Sequence, residues 1–443
     1  MVLPQEISYY IISLGCAKNL VDSERIHGIL YDAGFCESES SSDADIIIIN
    51  TCGFIEDAKR ESIDVILDAI ESVVDGRESR NNDKPEKFSQ RVVAAGCLVE
   101  RYSREIREEI PEIDFLYGIL DGNFVPSFCK EFGIDFHGDT DTPRKPLVPG
   151  LPYSYIKISE GCSNNCSYCA IPLIRGPVRS FPFEKIIQDV HEAVDAGACE
   201  MIIIAQDIMA YSWEGETLTS LVQSVSEVPG VQWVRLMYCH PDRLTDEVLD
   251  LMYGNEKVVR YLDLPFQHVN SRILQAMNRK GSYGIYMDLI NKIRDRVPGV
   301  HIRSTFMVGF PGETEEDFRE LMSFIREAKL ERVGCFMYSP EEDTEAALLD
   351  GMIPLRVKRK RHDELMAVQK KISVDVMNGM IGRTLHALVE EQVDERTWIC
   401  RTEFDAPEVD GIFYLTAENI SVNKIVNVYV TDAVEYDLIG VLA

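Results

Sequence analysis

Between residues 153 and 340 six short apolar runs follow one another: YSYIKIS, EMIIIAQ, VQWVRLM, VRYLDL, VHIRSTFMVG and ERVGCFM. Helical patterns such as FEKIIQDVHEAVDAG, YMDLINKIRDRV and EEDFRELMSFIREA lie between several of them. Six βα units of this kind predict an incomplete barrel of the TIM type, open on one side. A charged segment, LRVKRKRHDELMAVQKKISVDVM, reads as a long helix and completes a central domain over 153–377.

The flanks have a different character. Residues 1–133 alternate the strand-like runs ISYYIISL, DIIIIN, RVVAAG and IDFLYG with helical patterns such as SERIHGILYDAG and EDAKRESIDVILDAIESV. That alternation predicts a small α/β domain with a mostly parallel sheet. The polar stretch DGRESRNNDKPEKFSQ inside it is expected to be a mobile loop. Residues 134–152, which include HGDTDTPRKPLVPGLP, read as a linker. Over 378–443 the runs TLHALVEEQ, GIFYLTA and IVNVYVTDAVEYDLIGVLA predict a small antiparallel β-barrel of about five strands.

The longest apolar runs, Ile46–Ile49 and Met201–Ile204, fall far short of the ~20 residues a membrane helix needs. The opening MVLPQEISYY shows no basic region followed by an apolar core, so a cytoplasmic, thiol-reducing setting is expected. Twelve cysteines in such a setting favour metal or redox chemistry over disulfides. A formal net charge of −29 repels phosphate backbones and argues against nucleic acid as the main partner.

Two sets of cysteines carry the chemistry. Cys162, Cys166 and Cys169 follow the first barrel strand, in the loop at the carboxyl-end mouth where such barrels act. Their C-x3-C-x2-C spacing suits an iron–sulfur cluster, whereas zinc ribbons use paired C-x2-C units, and no second pair follows. Three thiolates on four irons leave one iron open to a ligand. Cys16, Cys52 and Cys97 end ISYYIISLGC, DIIIINTC and RVVAAGC, each directly after a strand. In a parallel sheet the carboxyl ends share one edge, so three thiols spaced 36 and 45 residues apart converge there. They read as a second three-cysteine cluster site. For Cys36, Cys129, Cys199, Cys239, Cys335 and Cys400, packing as small hydrophobes is expected.

The spacing and place of Cys162, Cys166 and Cys169 resemble the radical S-adenosylmethionine superfamily. The resemblance implies that the open iron is chelated by the amino and carboxylate groups of S-adenosylmethionine, which one electron then splits to a 5′-deoxyadenosyl radical. It places Tyr168 near the adenine. Two open clusters, an N-terminal α/β domain and a TRAM-like terminal barrel resemble the methylthiotransferases over essentially the full chain. This family inserts sulfur into an unactivated C–H bond and delivers it as a methylthio group, which gives each 4Fe–4S cluster its own task.

Ser13–Glu24 (SLGCAKNLVDSE), Asn50–Ser62 (NTCGFIEDAKRES) and Ala94–Tyr102 (AAGCLVERY) resemble the branch that modifies the β-carbon of an aspartate in protein twelve of the small ribosomal subunit. The tRNA-modifying branch tends instead to a GCQMN-type first motif and a basic residue after NTC; here Gly53 follows. His240–Thr245, Leu262–His268 and Met307–Thr314 resemble barrel motifs shared across the family. In the last of these, Gly309, Pro311, Gly312 and Glu313 are implied to lie beside the cofactor adenosine. The sequence departs from the usual GGE-like motif after the second barrel strand, reading AQDIMAY. Gln206 and Asp207 there either bind cofactor or substrate or cap the turn. His240 and His268 read as polar residues lining the mouth, with no spacing that demands acid–base duty.

The terminal barrel holds twelve Asp/Glu against four Lys/Arg, a net of −8. RNA affinity rests on phosphate contacts by Lys and Arg, so this barrel is expected to dock a basic ribosomal protein. An electron donor such as flavodoxin or ferredoxin is implied, and tRNA is disfavoured. The alternative functions are a tRNA methylthiotransferase and a non-catalytic cluster carrier.

Overall fold

Four consecutive isoleucines can all be buried only in a strand covered on both faces. In the computed structural model, which describes residues 4–79 and 90–443, they do this in β3 (Ile46–Thr51). Ile46 and Ile48 pack with Ile26, Ile29, Phe124 and Phe128, while Ile47 and Ile49 pack with Ile66, Val73, Leu98 and Val99. Each such burial contributes about 1.5–3 kcal/mol. β3 is the centre of a five-stranded sheet with β1 (Ser8–Ser13) and β2 (Cys36–Glu37) on one side, and β4 (Arg91–Gly96) and β5 (Phe115–Tyr117) on the other. Every pairing in it is parallel. The helices α1 (Ala17–Asp32), α2 (Glu56–Ser79), α3 (Cys97–Glu109) and α4 (Phe124–Phe132) supply the covering faces.

Several details differ from expectation. α2 continues through Ser79, into the stretch read as a loop, and residues 80–89 of that stretch lie outside the described residues. Cys36 is exposed on the short edge strand β2, so it does not pack as a hydrophobe; Cys129, Cys199, Cys239, Cys335 and Cys400 are buried. Residues 134–149 are part of the first unit. Lys145 Nζ meets Glu37 at 2.8 Å, Arg144 meets Glu24 at 3.5 Å, and the Pro143 carbonyl occupies the space that a Cβ on Gly28 would need.

The chain forms two units. The first runs to Pro149 and also takes in Ala170–Pro177; the second comprises Gly150–Cys169 and Val178–Ala443. In the second unit all six expected strands form: Tyr153–Lys157, Glu200–Ile204, Trp233–Leu236, Val258–Asp263, His301–Val308 and Arg332–Met337. They pair in parallel in chain order, and the first does not meet the sixth, so the barrel stays open. One large apolar core joins them to the intervening helices. The charged segment forms the helix Leu355–Asn378.

The terminal region closes a five-stranded barrel from Thr384–Gln392, Thr397–Thr402, Phe413–Thr416, Ile425–Ala433 and Leu438–Leu442. It is not wholly antiparallel: Phe413–Thr416 and Leu438–Leu442 run parallel. Five strands around a closed ring cannot alternate direction throughout, so one parallel pair is obligatory.

This small barrel is bolted to the radical barrel by buried charges. Glu200 lies between Arg235 (2.7 Å) and Arg401, and Arg401 also holds Glu390 at 2.9 Å. Asp410 accepts from Tyr261 (2.7 Å) and Arg303 (2.5 Å), and Asp405 accepts from Arg332. His301 stacks on Phe404 with ring centroids 4.0 Å apart. Glu390, Asp405 and Asp410 are therefore spent inside the molecule, which trims the acidic surplus available to a partner.

Candidate active site: two three-cysteine constellations

Each of the three adjacent strands β1, β3 and β4 delivers a cysteine at its carboxyl end. Cys16 is the N-cap of α1, Cys52 follows β3, and Cys97 opens α3. Gly15 shows how tightly they are gathered. A Cβ there would fall 2.6 Å from Cys52 Cβ and 2.8 Å from its sulfur, and the backbone has φ +88°. Gly15→Ala is therefore expected to lower iron bound per chain severalfold in reconstituted protein, measured by iron and sulfide assay. Unchanged iron content would contradict this packing.

The surrounding polar groups are fixed. Asn19 Nδ2 donates to the Leu14 and Thr51 carbonyls at 2.9 and 3.0 Å, and Asn50 Nδ2 donates to the Asn19 carbonyl at 2.9 Å. Arg175, on α5 (Ile171–Arg175), donates to Asn19 Oδ1 at 2.6 Å and reaches Cys97 Sγ at 3.2 and 3.3 Å. Burial pushes the Cys52 thiol up to about 11 and raises that of Cys97, with Arg175 acting against both. For Cys16, burial is outweighed by Lys18, by backbone N–H groups and by Arg175, leaving the thiol below its ordinary value. Helix N-termini and a guanidinium favour thiolate, the ligating form.

Among the described residues, no three His, Cys, Asp or Glu side chains are arranged to hold a metal ion. A four-iron cluster makes a different demand, because each thiolate binds its own iron and the sulfurs stand further apart than around one ion. Three thiols at one sheet edge, two of them buried, with nearby N–H donors fit that demand.

The second set lies in the loop after the first barrel strand. Ser167 anchors the loop, its N–H donating to the Met277 carbonyl (3.1 Å), its hydroxyl to the Ala276 carbonyl (2.7 Å), and its carbonyl accepting from Ala346 (2.8 Å). The Asn164 N–H points to Cys162 Sγ at 3.4 Å, and its side chain donates to Asp207 at 2.8 Å. Tyr168 packs against the barrel core. Burial holds its hydroxyl far above the ordinary value, opposed by Arg279 and reinforced by Cys166 and Cys169. Arg279 Nη1 stands 3.9 Å from Cys166 Sγ.

The expected cofactor residues divide by what their polar atoms already do. Asp207 caps the turn at Met209 N (3.1 Å) and pairs with Arg243 (3.3 Å). Gln206 Nε2 donates to Glu160 at 3.2 Å, while its buried Oε1 accepts from no protein group. That orphaned acceptor suits an ammonium donor. Gly309 has φ +75°, and a Cβ on it would strike Lys358 at 2.4 Å. Glu313 is buried, accepts from the Gly309 N–H, pairs with Arg361 at 3.1 Å and stands 3.7 Å from His268. Its carboxylate thus holds the turn from within. Pro311 is buried beside it, and the Gly312 N–H donates to the Gly351 carbonyl at 2.9 Å. His240 and His268 each accept a backbone N–H two residues on, and burial lowers His240 to about 3.

Sequence reading missed Asn19, Glu160, Asn164, Arg175 and Arg279. Arg175 alone left a trace, as the first basic residue after Lys157.

The Radical SAM superfamily signature matches residues 156–325, the uncharacterized protein family UPF0004 matches 8–118, and the TRAM domain matches 381–442. Among solved structures, the radical S-adenosylmethionine methyltransferase TsrM from Kitasatospora setae has a similar fold (TM-score 0.54, 14% identity, 75% of this chain and 76% of that one). So does the cobalamin-dependent radical enzyme OxsB (TM-score 0.52, 12% identity, 83% and 56%). The ribosomal protein uS12 methylthiotransferase RimO of Clostridioides difficile is 40% identical over 442 residues, 97% of each chain. That of Syntrophotalea carbinolica is 40% identical over 447 residues (97% and 95%), and that of Carboxydothermus hydrogenoformans 38% over 446 (98% and 99%). With its two cysteine sets at the two sheet edges and this identity along nearly its whole length, the chain belongs to the RimO family of radical SAM methylthiotransferases.

Proposed function

We propose that this enzyme adds a methylthio group to the β-carbon of an aspartate in ribosomal protein uS12, with the two cysteine sets dividing the work. The observation that carries this reading is the pair of separate thiol constellations, each at the carboxyl edge of its own parallel sheet. Cys162, Cys166 and Cys169 would hold one 4Fe–4S cluster with S-adenosylmethionine, which would supply hydrogen abstraction, and Cys16, Cys52 and Cys97 would hold a second, which would supply sulfur. Gln206 Oε1 accepts from the cofactor ammonium. Tyr168 and the turn from Gly309 to Glu313 would flank its adenosine, and Glu313 keeps that turn shaped through Gly309 and Arg361. A flavodoxin or ferredoxin supplies the electron, and the reaction takes place in the cytoplasm. Among the described residues no helix is long and apolar enough to cross a membrane.

A protein substrate fits the charge balance. After Glu390, Asp405 and Asp410 are set aside, exposed acids such as Glu391, Glu395, Glu418 and Asp432 still dominate the terminal barrel. Such a surface attracts a basic protein and repels tRNA. Reconstituted anaerobic enzyme, given uS12 and bulk tRNA together, is expected to add mass to a uS12 aspartate alone, read by mass spectrometry. A methylthio gain on tRNA adenosine would place the chain with the tRNA enzymes. Affinity for uS12 is expected to fall as salt rises, since exposed charges are screened beyond about 8 Å at physiological ionic strength. An affinity indifferent to salt would remove the role given to the acidic barrel.

A further inference from the structure

The residue after the third radical cysteine already belongs to the first unit. Ala170–Pro177 packs there, with Ala170 and Ile174 against Cys97 and Ile119. The short α5 carries a proline in its first turn and ends at Gly176, so Arg175 is its last residue. The Arg175 side chain is only 2% exposed. A guanidinium removed from water is costly unless its donors are matched. Here the match is specific. Nη1 meets Asp22 at 3.2 Å, Nη2 donates to Asn19 Oδ1 at 2.6 Å, and both Nε and Nη2 face Cys97 Sγ at 3.3 and 3.2 Å.

Two N–H groups of one guanidinium aimed at a single atom form the fork that recognises an anion. Asn19 cannot turn away to offer a different partner, because its amide nitrogen is committed to two carbonyls. Asp22 in turn fixes the guanidinium plane. The arrangement is a carboxylate–guanidinium–sulfur chain of the outer-shell kind that orients metal ligands.

We propose that Arg175 is a positioning residue for the first cluster: its fork, held by Asp22 and Asn19, fixes the Cys97 sulfur in place, and its charge raises the reduction potential of the cluster bound there. This rests on reading Cys16, Cys52 and Cys97 as cluster ligands. Hydrogen bonds and positive charge at cluster sulfurs favour the reduced state, and such contacts are a recognised lever on potential. The same eight residues follow Cys169 directly, so the loop carrying the radical cysteines also carries the group that tunes the other site.

The test uses the full-length chain with Cys162, Cys166 and Cys169 replaced by alanine, so that one cluster remains, and compares Arg175→Gln, Arg175→Lys and Asp22→Asn. Iron and sulfide content, the electron paramagnetic resonance spectrum of the reduced state and a potentiometric titration are read for each. Arg175→Gln is expected to shift the midpoint to more negative values or to lose iron, Arg175→Lys to recover most of either effect, and Asp22→Asn to shift the midpoint the opposite way. A Gln variant with full iron, an unchanged spectrum and an unchanged midpoint would overturn the proposal. So would iron loss that lysine does not rescue, combined with an unmoved midpoint in Asp22→Asn. If the chain still binds a cluster with Cys16, Cys52 and Cys97 also replaced, the ligand assignment fails, which is a separate failure.

Discussion

Alanine at Cys162, Cys166 or Cys169 is expected to abolish both 5′-deoxyadenosine and methylthio product, whereas alanine at Cys16, Cys52 or Cys97 removes only the product. The asymmetry follows from placement. The first three thiols share one loop, anchored at Ser167 and Asn164. Losing one leaves two ligands where three are required, and cofactor cleavage ends with the cluster. The other three thiols belong to a different unit with its own hydrophobic cores. Their loss leaves the radical loop, Gln206 and the glycine turn intact, so cleavage continues without sulfur to deliver. Chromatography of 5′-deoxyadenosine and mass spectrometry of uS12 measure the two outputs in one reaction. Equal loss of cleavage in both sets of variants would remove the division of labour.

The second large effect concerns stability. Glu200 has no exposed surface and lies between Arg235 and Arg401. Removing one partner of a buried ionic group leaves uncompensated charge and costs about 3–5 kcal/mol. Glu200→Ala leaves Arg235 without its carboxylate and Arg401 with Glu390 alone, so a loss within that range is expected. All three tryptophans, Trp213, Trp233 and Trp398, lie in the second unit, so their fluorescence during denaturant unfolding follows that unit alone. A midpoint matching wild type would show that the ion pairs contribute little there.

The same carboxylate sets a pH dependence. Burial raises the Glu200 carboxyl, but Arg235 and Arg401 outweigh it and hold it below the ordinary range. A depressed acid stabilises the fold above its unfolded value of about 4.3, and this contribution disappears as pH falls through the folded value. The wild-type unfolding midpoint should therefore drop more steeply with acid below about pH 4.3 than that of Glu200→Ala.

Legibility in the sequence followed the range of the interactions. All six barrel strands were visible because each is an apolar run bounded by turn residues, and their parallel order follows from the intervening helices. The strand Thr397–Thr402 was missed because Arg401 spoils its apolar pattern; that arginine is tolerated through Glu390 and through Glu200, 201 residues away. The parallel pair in the small barrel was invisible for a similar reason, since local periodicity does not report which strands become neighbours. Both cysteine sets were visible from their positions after strands. Their partners were not: Arg175 meets Asp22 across 153 positions, and Arg279 approaches Cys166 across 113.

The passage of Ala170–Pro177 into the first unit also orders the birth of the protein. A nascent chain emerges from its N-terminus, so the five-stranded sheet with Cys16, Cys52 and Cys97 is made before the peptide that covers Cys97. Until residue 177 has left the ribosome, that thiol edge lacks Arg175 and the apolar cover of Ile174. The interval ends only after Cys162, Cys166 and Cys169 have also been synthesised. The finished first unit thus belongs to a chain in which both cysteine sets already exist, and a fragment cut at residue 149 would be a sheet without its seal.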